Sequence, residues 1–236
     1  MIHIFDSDVK NLLNLLDGMP SKRFAFDKSK VLPTQTRSDL VLLRDCAFEL
    51  GGSDCDCIGS TVVTDDIEFE SETVLVGKEL KDVKRDCNYA KIVLLSLKSS
   101  PEEEQQIFDL VKSLEYAKYD DNVKGFMTRA SAFTQREQVR VSKQAVKNGL
   151  SFEKIGATTI ASYLKKDVVK AVKVIFVADA DVDFALLYAF AEHTKEVLDA
   201  FNHLLDNMLV DCAHCNLKSI CDQVEGMREL HVKMAK

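Results

Sequence analysis

Cys212, Cys215 and Cys221 lie within ten positions of one another in the stretch VDCAHCNLKSICDQVEGMRELH, a C-x2-C-x5-C pattern. A two-residue spacer lets two sulfurs converge in a tight turn, so three thiolates can occupy three corners of a tetrahedral zinc or of an iron–sulfur cube. The fourth ligand has to come from elsewhere. Candidates are His231, with nine residues between it and Cys221, His214, or a distant cysteine such as Cys55, Cys57 or Cys87. Thiolates suit zinc and iron–sulfur alike, so spacing leaves the metal open. The plain alternative is a set of free thiols at a helix end. The CAHC tetrad also has the C-x-x-C form of thiol–disulfide exchange proteins, but those follow a strand, whereas AFNHLLDNMLVD before Cys212 reads as helix. Haem attachment is excluded, because Asn216 and not histidine follows Cys215.

Other constellations carry less chemistry. Cys55 and Cys57, in GGSDCDCIG, have C-x-C spacing, which can hold nickel in a plane. A glycine-rich turn carrying two cysteines accounts for the pair without a metal. DADVD, residues 179–183, opens like a calcium loop, but Phe184 stands where that loop needs glycine and Phe190 where it needs glutamate. Asp181 is instead expected to cap a helix. His193 and His203 are ten apart, not four, and make no two-histidine site on one helix face. Lys124, Arg129, Arg136, Arg140, Lys143 and Lys147 form a basic set that a phosphate-bearing ligand could use, or that simply solvates a helix-and-strand face.

Composition narrows the setting. The chain has 236 residues, 46% hydrophobic and 29% charged, as expected of a soluble globular protein able to bury a sizeable core. Its net charge of −7 argues against a nucleic-acid or anionic-membrane surface. No basic leader with an apolar block opens it and no segment approaches a membrane span, so a cytoplasmic location is expected. In that reducing setting an odd count of seven cysteines is poor material for a disulfide framework, and points back to metal or redox chemistry.

The elements that must position these groups are set by period and punctuation. Leu12, Leu13, Leu15 and Leu16 make the stripe of a first helix over 7–17, with Gly18 as its stop. Residues 21–36 are expected to be a loop. Strand-like runs stand at DLVLLRDCAFEL, TVVT, ETVLVG, YAKIVLLSL, EQVRVS and AVKVIFVA. Ser100, Pro101 and Glu103 open one helix as cap, first position and capping box. Ser142 caps a short helix stopped by Gly149, and Ser151 caps the next. A long helical pattern over 181–208 leads to Cys212. The fold expected is α/β or α+β: a mixed sheet flanked by helices, with a helical cysteine-rich tail. Three parts are expected: 1–43 as an N-terminal helix and loop, 44–183 as the α/β domain, and 184–236 as long helix and tail.

The stretch QVRVSKQAVKNGLSFEKIGATTIASYLKKDVVKAVKVIFVADAD, residues 138–181, resembles the middle domain of acetyl-CoA synthase, the β subunit of the CO dehydrogenase/acetyl-CoA synthase complex. The likeness is carried by an ordered series: R-V-S-K at 140–143, Ala145 and Val146, Gly149, the stretch 154–156, and the apolar strand 172–177 ending in an acidic turn. FELGG, VLVGKELKDV and AKIVLLSL fall upstream in compatible order, so it spans about 44–183. The resemblance implies an iron–sulfur cluster at Cys212, Cys215 and Cys221, because the family places C-x2-C-x8-C-x9-C just beyond this domain. Here the second gap is shorter, and His231 stands at the last offset. It also implies a possible coenzyme A surface at Lys124, Arg129, Arg136, Arg140 and Lys143. The family's tryptophan there has no counterpart, since the chain has none, and Met127 or a neighbour takes that region. The family's Cys-Gly-Cys nickel site is likewise without counterpart. The resemblance therefore implies an accessory or partner subunit of a CO dehydrogenase or corrinoid protein complex in anaerobic one-carbon metabolism, not a complete acetyl-CoA synthase. The rival classes are a zinc-stabilised interaction module and a thiol redox protein.

Overall fold

The computed structural model describes residues 5–35, 41, 46–52, 54–64, 67–98, 104–119, 121–131 and 134–205. In chain order the elements are α1 (Asp6–Leu16), β1 (Ser21–Ala25), β2 (Ala47–Leu50), β3 (Cys57–Thr64), β4 (Glu72–Gly77) and β5 (Tyr89–Leu97). They continue with α2 (Glu104–Tyr116), β6 (Phe126–Ala130), β7 (Glu137–Ser142), α3 (Lys143–Lys147), α4 (Phe152–Leu164), β8 (Val169–Ala178) and α5 (Phe184–Leu205). The expected mixed α/β class is present, but its strands divide into two sheets. The larger has the order β1-β4-β8-β5-β3 and the smaller the order β2-β7-β6.

Continuous apolar runs become strands covered on both faces. Every residue of β5 is buried, and in β8 only Lys170 is exposed. β8 runs parallel to β4 and antiparallel to β5, while β5 runs parallel to β3. Alternation along β3 identifies what covers each face. Ser60 Oγ meets Thr194 Oγ1 of α5 at 3.3 Å, whereas Thr61 Oγ1 meets Tyr163 Oη of α4 at 3.4 Å. Tyr89, Phe152 and Phe176 stack between β5, α4 and β8, with ring centroids 4.7–6.5 Å apart. α1 joins the α5 side, where its Asp6 accepts from Thr64 Oγ1 at 2.6 Å.

Three expected features are corrected. Residues 21–36 are not all loop: Ser21–Ala25 pairs antiparallel with β4, and Arg23 Nε donates to Glu72 at 3.0 Å. That strand escapes a burial pattern because it is an exposed edge. Asp181 does not cap α5. Asp183 does, its carboxylate accepting from the Ala185 amide at 2.9 Å. Within DLVLLRDCAFEL, the strand among described residues is Ala47–Leu50, and TVVT is the end of a strand that already begins at Cys57. The Ser142 and Ser151 caps are present, at 3.3 and 3.4 Å to the amides of Ala145 and Lys154. Gly149 takes φ +90° as the helix stop. Ser100, Pro101 and Glu103 lie outside the described residues, as does the tail from 206 onward.

α4 seats on the sheet through a glycine. A Cβ at Gly156 would stand 2.1 Å from Thr73 Oγ1 on β4, a separation no real contact tolerates. Gly156→Ala is therefore expected to push α4 off β4 and cost about 1–3 kcal/mol of stability, read as a lower denaturant midpoint with unchanged slope.

Candidate functional site

Cys212, Cys215, Cys221, His214 and His231 lie outside the described residues, so the site the structure builds consists of the C-x-C pair and the basic set. Cys57 opens β3 and is fully buried. Arg136 Nε donates to its sulfur at 3.3 Å, and the Cys57 amide donates to Tyr188 Oη of α5 at 3.3 Å. Gly51, at φ +68°, is required beside it, because a Cβ there would come 2.2 Å from that of Cys57. Cys55 is half-buried in the preceding turn, and its amide donates to the Gly52 carbonyl at 3.0 Å.

The two thiols face different neighbours. Burial, followed by Asp86, Asp54 and Asp56, pushes the Cys55 thiol up from its ordinary value. Cys87, buried where it bridges to Leu50, is pushed up to about 12 by burial and then by Asp179 and Cys55. Desolvation beside carboxylates disfavours the thiolate that a soft metal needs. Among the described residues no three His, Cys, Asp or Glu side chains are grouped to hold a metal.

The basic set is divided. Arg129 and Arg140 stand on neighbouring strands β6 and β7, and both turn to Glu49 of β2: Arg129 Nη2 at 3.2 Å and Arg140 Nε at 2.9 Å. Arg140, ahead of Arg129, holds the Glu49 carboxyl below its usual range. Arg140 also donates to the Val41 carbonyl at 3.2 Å. Arg136 is taken by Cys57. Lys143 and Lys147 are the exposed ends of α3.

Lys124 is placed differently. It lines a cavity of about 440 Å³ formed where Leu32 and Pro33, the turn at Gly125, the end of β7, α3 and the start of α4 meet. Gly125 at φ +80° lets this turn approach α3, since a Cβ there would lie 2.4 Å from that of Ala145. Opposite stands Lys154, whose Nζ donates to the Gly149 carbonyl at 2.7 Å and keeps further N–H groups. Ser142, Gln144 and Asn148 complete the polar wall, and among the described residues no Asp or Glu lines the cavity. Sequence reading missed Lys154 as a site residue. Its only signal was the 154–156 stretch of the resemblance, because the wall it shares is assembled from Lys124, thirty positions back, and from Leu32 and Pro33, more than a hundred back.

A family model for the CO dehydrogenase/acetyl-CoA synthase complex beta subunit matches residues 37–182. The chain belongs to this family. No curated protein matches it. The β-subunit span runs from ahead of β2 to just past β8, so it holds the C-x-C pair, the Glu49–arginine contact and every residue of the cavity wall except Leu32 and Pro33. Among the described residues no helix is long and apolar enough to cross a membrane.

Burial orders the thiols. Among the four described cysteines, with native protein and excess maleimide, peptide mapping is expected to find Cys46 labelled first and Cys55 more slowly, with Cys57 and Cys87 protected until denaturant is added. Early labelling of Cys57 would contradict the burial and the Arg136 contact.

Proposed function

We propose that this member of the β-subunit family is an accessory or partner subunit of a CO dehydrogenase/acetyl-CoA synthase or corrinoid protein complex, and that its α/β body receives the phosphates of coenzyme A at the Lys124–Lys154 cavity. The observation that carries this reading is a donor-rich concavity whose described lining has no carboxylate, in a chain whose net charge is −7. Such a wall favours an anion, and two lysine ammoniums act on phosphate as charge-assisted donors. Arg129 and Arg140 drop out of the ligand set on this reading, because turning them to a phosphate would leave Glu49 without its partners. An anaerobic calorimetric titration tests it. Lys124→Ala and Lys154→Gln are each expected to weaken coenzyme A binding about tenfold, and dephosphorylated coenzyme A to bind more weakly than coenzyme A. Unchanged affinity in both variants would refute the cavity as the site.

On the same reading Cys212, Cys215 and Cys221 hold an iron–sulfur cluster with His231 as the fourth-ligand candidate, since Cys57 is buried against Arg136 and burial beside carboxylates disfavours the Cys55 thiolate. When bound, such a cluster supplies one-electron storage. C-x2-C spacing and the family support it, and the described residues add no rival group of three ligands. Anaerobically purified protein is expected to contain iron with acid-labile sulfide, and Cys215→Ser to release it. Zinc without sulfide would establish the structural-zinc alternative, and full metal content in Cys215→Ser would refute the cluster at these thiols.

A further inference from the structure

Between α4, the large sheet and the small sheet lies a set of buried polar groups that no part of the coenzyme A reading uses. Lys91 of β5 is 3% exposed, yet it is paired. Its Nζ stands 3.2 Å from Asp121 Oδ2 and 3.8 Å from Glu137 Oε1. One ammonium thus faces two carboxyl groups where little water reaches. The two carboxyls are held unequally. Asp121 Oδ2 accepts from Lys91 and also from Thr159 Oγ1 of α4. Glu137 Oε1 is beyond hydrogen-bond distance of Lys91 and has no partner among the described residues; the Tyr89 hydroxyl on the same face of β5 also has none. An ionised carboxylate held this way would have one buried oxygen without the donor that makes burial of charge tolerable.

Glu137 reaches the cluster across a gap made for it. A Cβ on Gly59 of β3 would lie 2.5 Å from the Glu137 Cβ and 2.7 Å from its Oε2, so only glycine lets the side chain cross β3 toward β5. The backbone reinforces this crossing, because the Gly59 amide donates to the Gln135 carbonyl at 2.8 Å, just ahead of β7. Glu137 and that backbone bond tie the small sheet to the large one.

We infer that Glu137 keeps its proton beyond the pH range in which ordinary glutamates ionise, and that Lys91, Asp121 and Glu137 form a proton-operated latch between the two sheets. With that proton, one ammonium faces one carboxylate and the buried set is neutral. Without it, a second negative charge stands unsolvated beside Asp121, and the small sheet is pushed from its seat. Every charged or titratable group facing Glu137 bears on this balance. Burial pushes its carboxyl up from the ordinary value; Lys91 pulls the other way, Asp121 adds to the rise and Lys118 opposes it more weakly. Burial would lower Lys91, but carboxylate charge, that of Asp121 first, outweighs it and holds the ammonium charged. Tyr89 and Tyr163 are both raised, by burial first, and stay neutral. These shifts fix the sign of the pH dependence. Below the ordinary carboxylate range Glu137 is protonated whether the latch is open or closed. Above it, opening releases the proton that the closed latch keeps, so rising pH weakens the latch until Glu137 ionises in place.

A carbon-13 titration of wild-type protein, with the Glu137 carboxyl assigned through bonds from its own backbone, reads the proton without any variant. The carboxyl is expected to stay protonated through the range in which the other glutamates ionise. Hydrogen exchange reads the latch: β7 protection factors are expected to fall by up to about tenfold per pH unit above that range, and Glu137→Gln to abolish the slope. A Glu137 carboxyl that titrates with the other glutamates would overturn the inference, as would β7 protection in wild type that does not change with pH.

Discussion

The antiparallel pairing of β5 with β8 is the constraint on which the rest of the molecule depends. Both strands are apolar almost throughout and buried on both faces, and their pairing runs from Tyr89 opposite Ala178 to Leu97 opposite Val169. Because β4 flanks β8 in parallel and β3 flanks β5 in parallel, helices must cover both faces. The pairing also crowds one end of the sheet. Gly77 at φ +98° is needed where a Cβ would stand 2.2 Å from the Ala178 carbonyl, and Asp179 at φ +47° turns to take Lys78 at 2.6 Å.

Once β5 and β8 are registered, the chemistry-bearing groups have little freedom. Tyr89 and Lys91 fall on one face by alternation, and Phe176 opposite Lys91 brings α4 over them through Phe152. α4 cannot shift, because Gly156 is pressed on Thr73, and its Ser151 cap fixes the junction with α3 that closes the cavity. Glu49 then decides which cations are left for a ligand. By gathering Arg129 and Arg140 it makes them part of the small sheet, and the cavity receives Lys124 and Lys154 instead.

Much of this was legible locally. Ser142, Gly149 and Ser151 announced three helix boundaries, and YAKIVLLSL and AVKVIFVA announced the buried strands, because caps and apolar runs act within a few residues. The ordered likeness to acetyl-CoA synthase was legible too, and the family match over 37–182 carries it. What sequence could not give depends on distant partners. β1 has no apolar period and is a strand only because β4 offers it an edge and Glu72 offers Arg23 a carboxylate. The basic set was visible as charge, but Glu49 lies 80 and 91 positions from Arg129 and Arg140, and nothing in spacing assigns it to them. The division into two sheets, and the glycine that admits Glu137 between them, is likewise a matter of tertiary approach.

We propose that this β-subunit family member works with a partner and does not itself make acetyl-CoA. Joining a methyl and a carbonyl group requires a nickel held by a thiolate pair beside an electron-storing cluster, whereas here the Cys57 sulfur is engaged by Arg136 and the Cys55 thiol is held up by burial and three aspartates. The direct measurement is an anaerobic assay of the isolated, nickel-reconstituted chain with carbon monoxide, a methyl donor and coenzyme A. The expected result is no acetyl-CoA. Turnover that disappears when Cys55 and Cys57 are both replaced would contradict the claim and make the C-x-C pair the catalytic metal site.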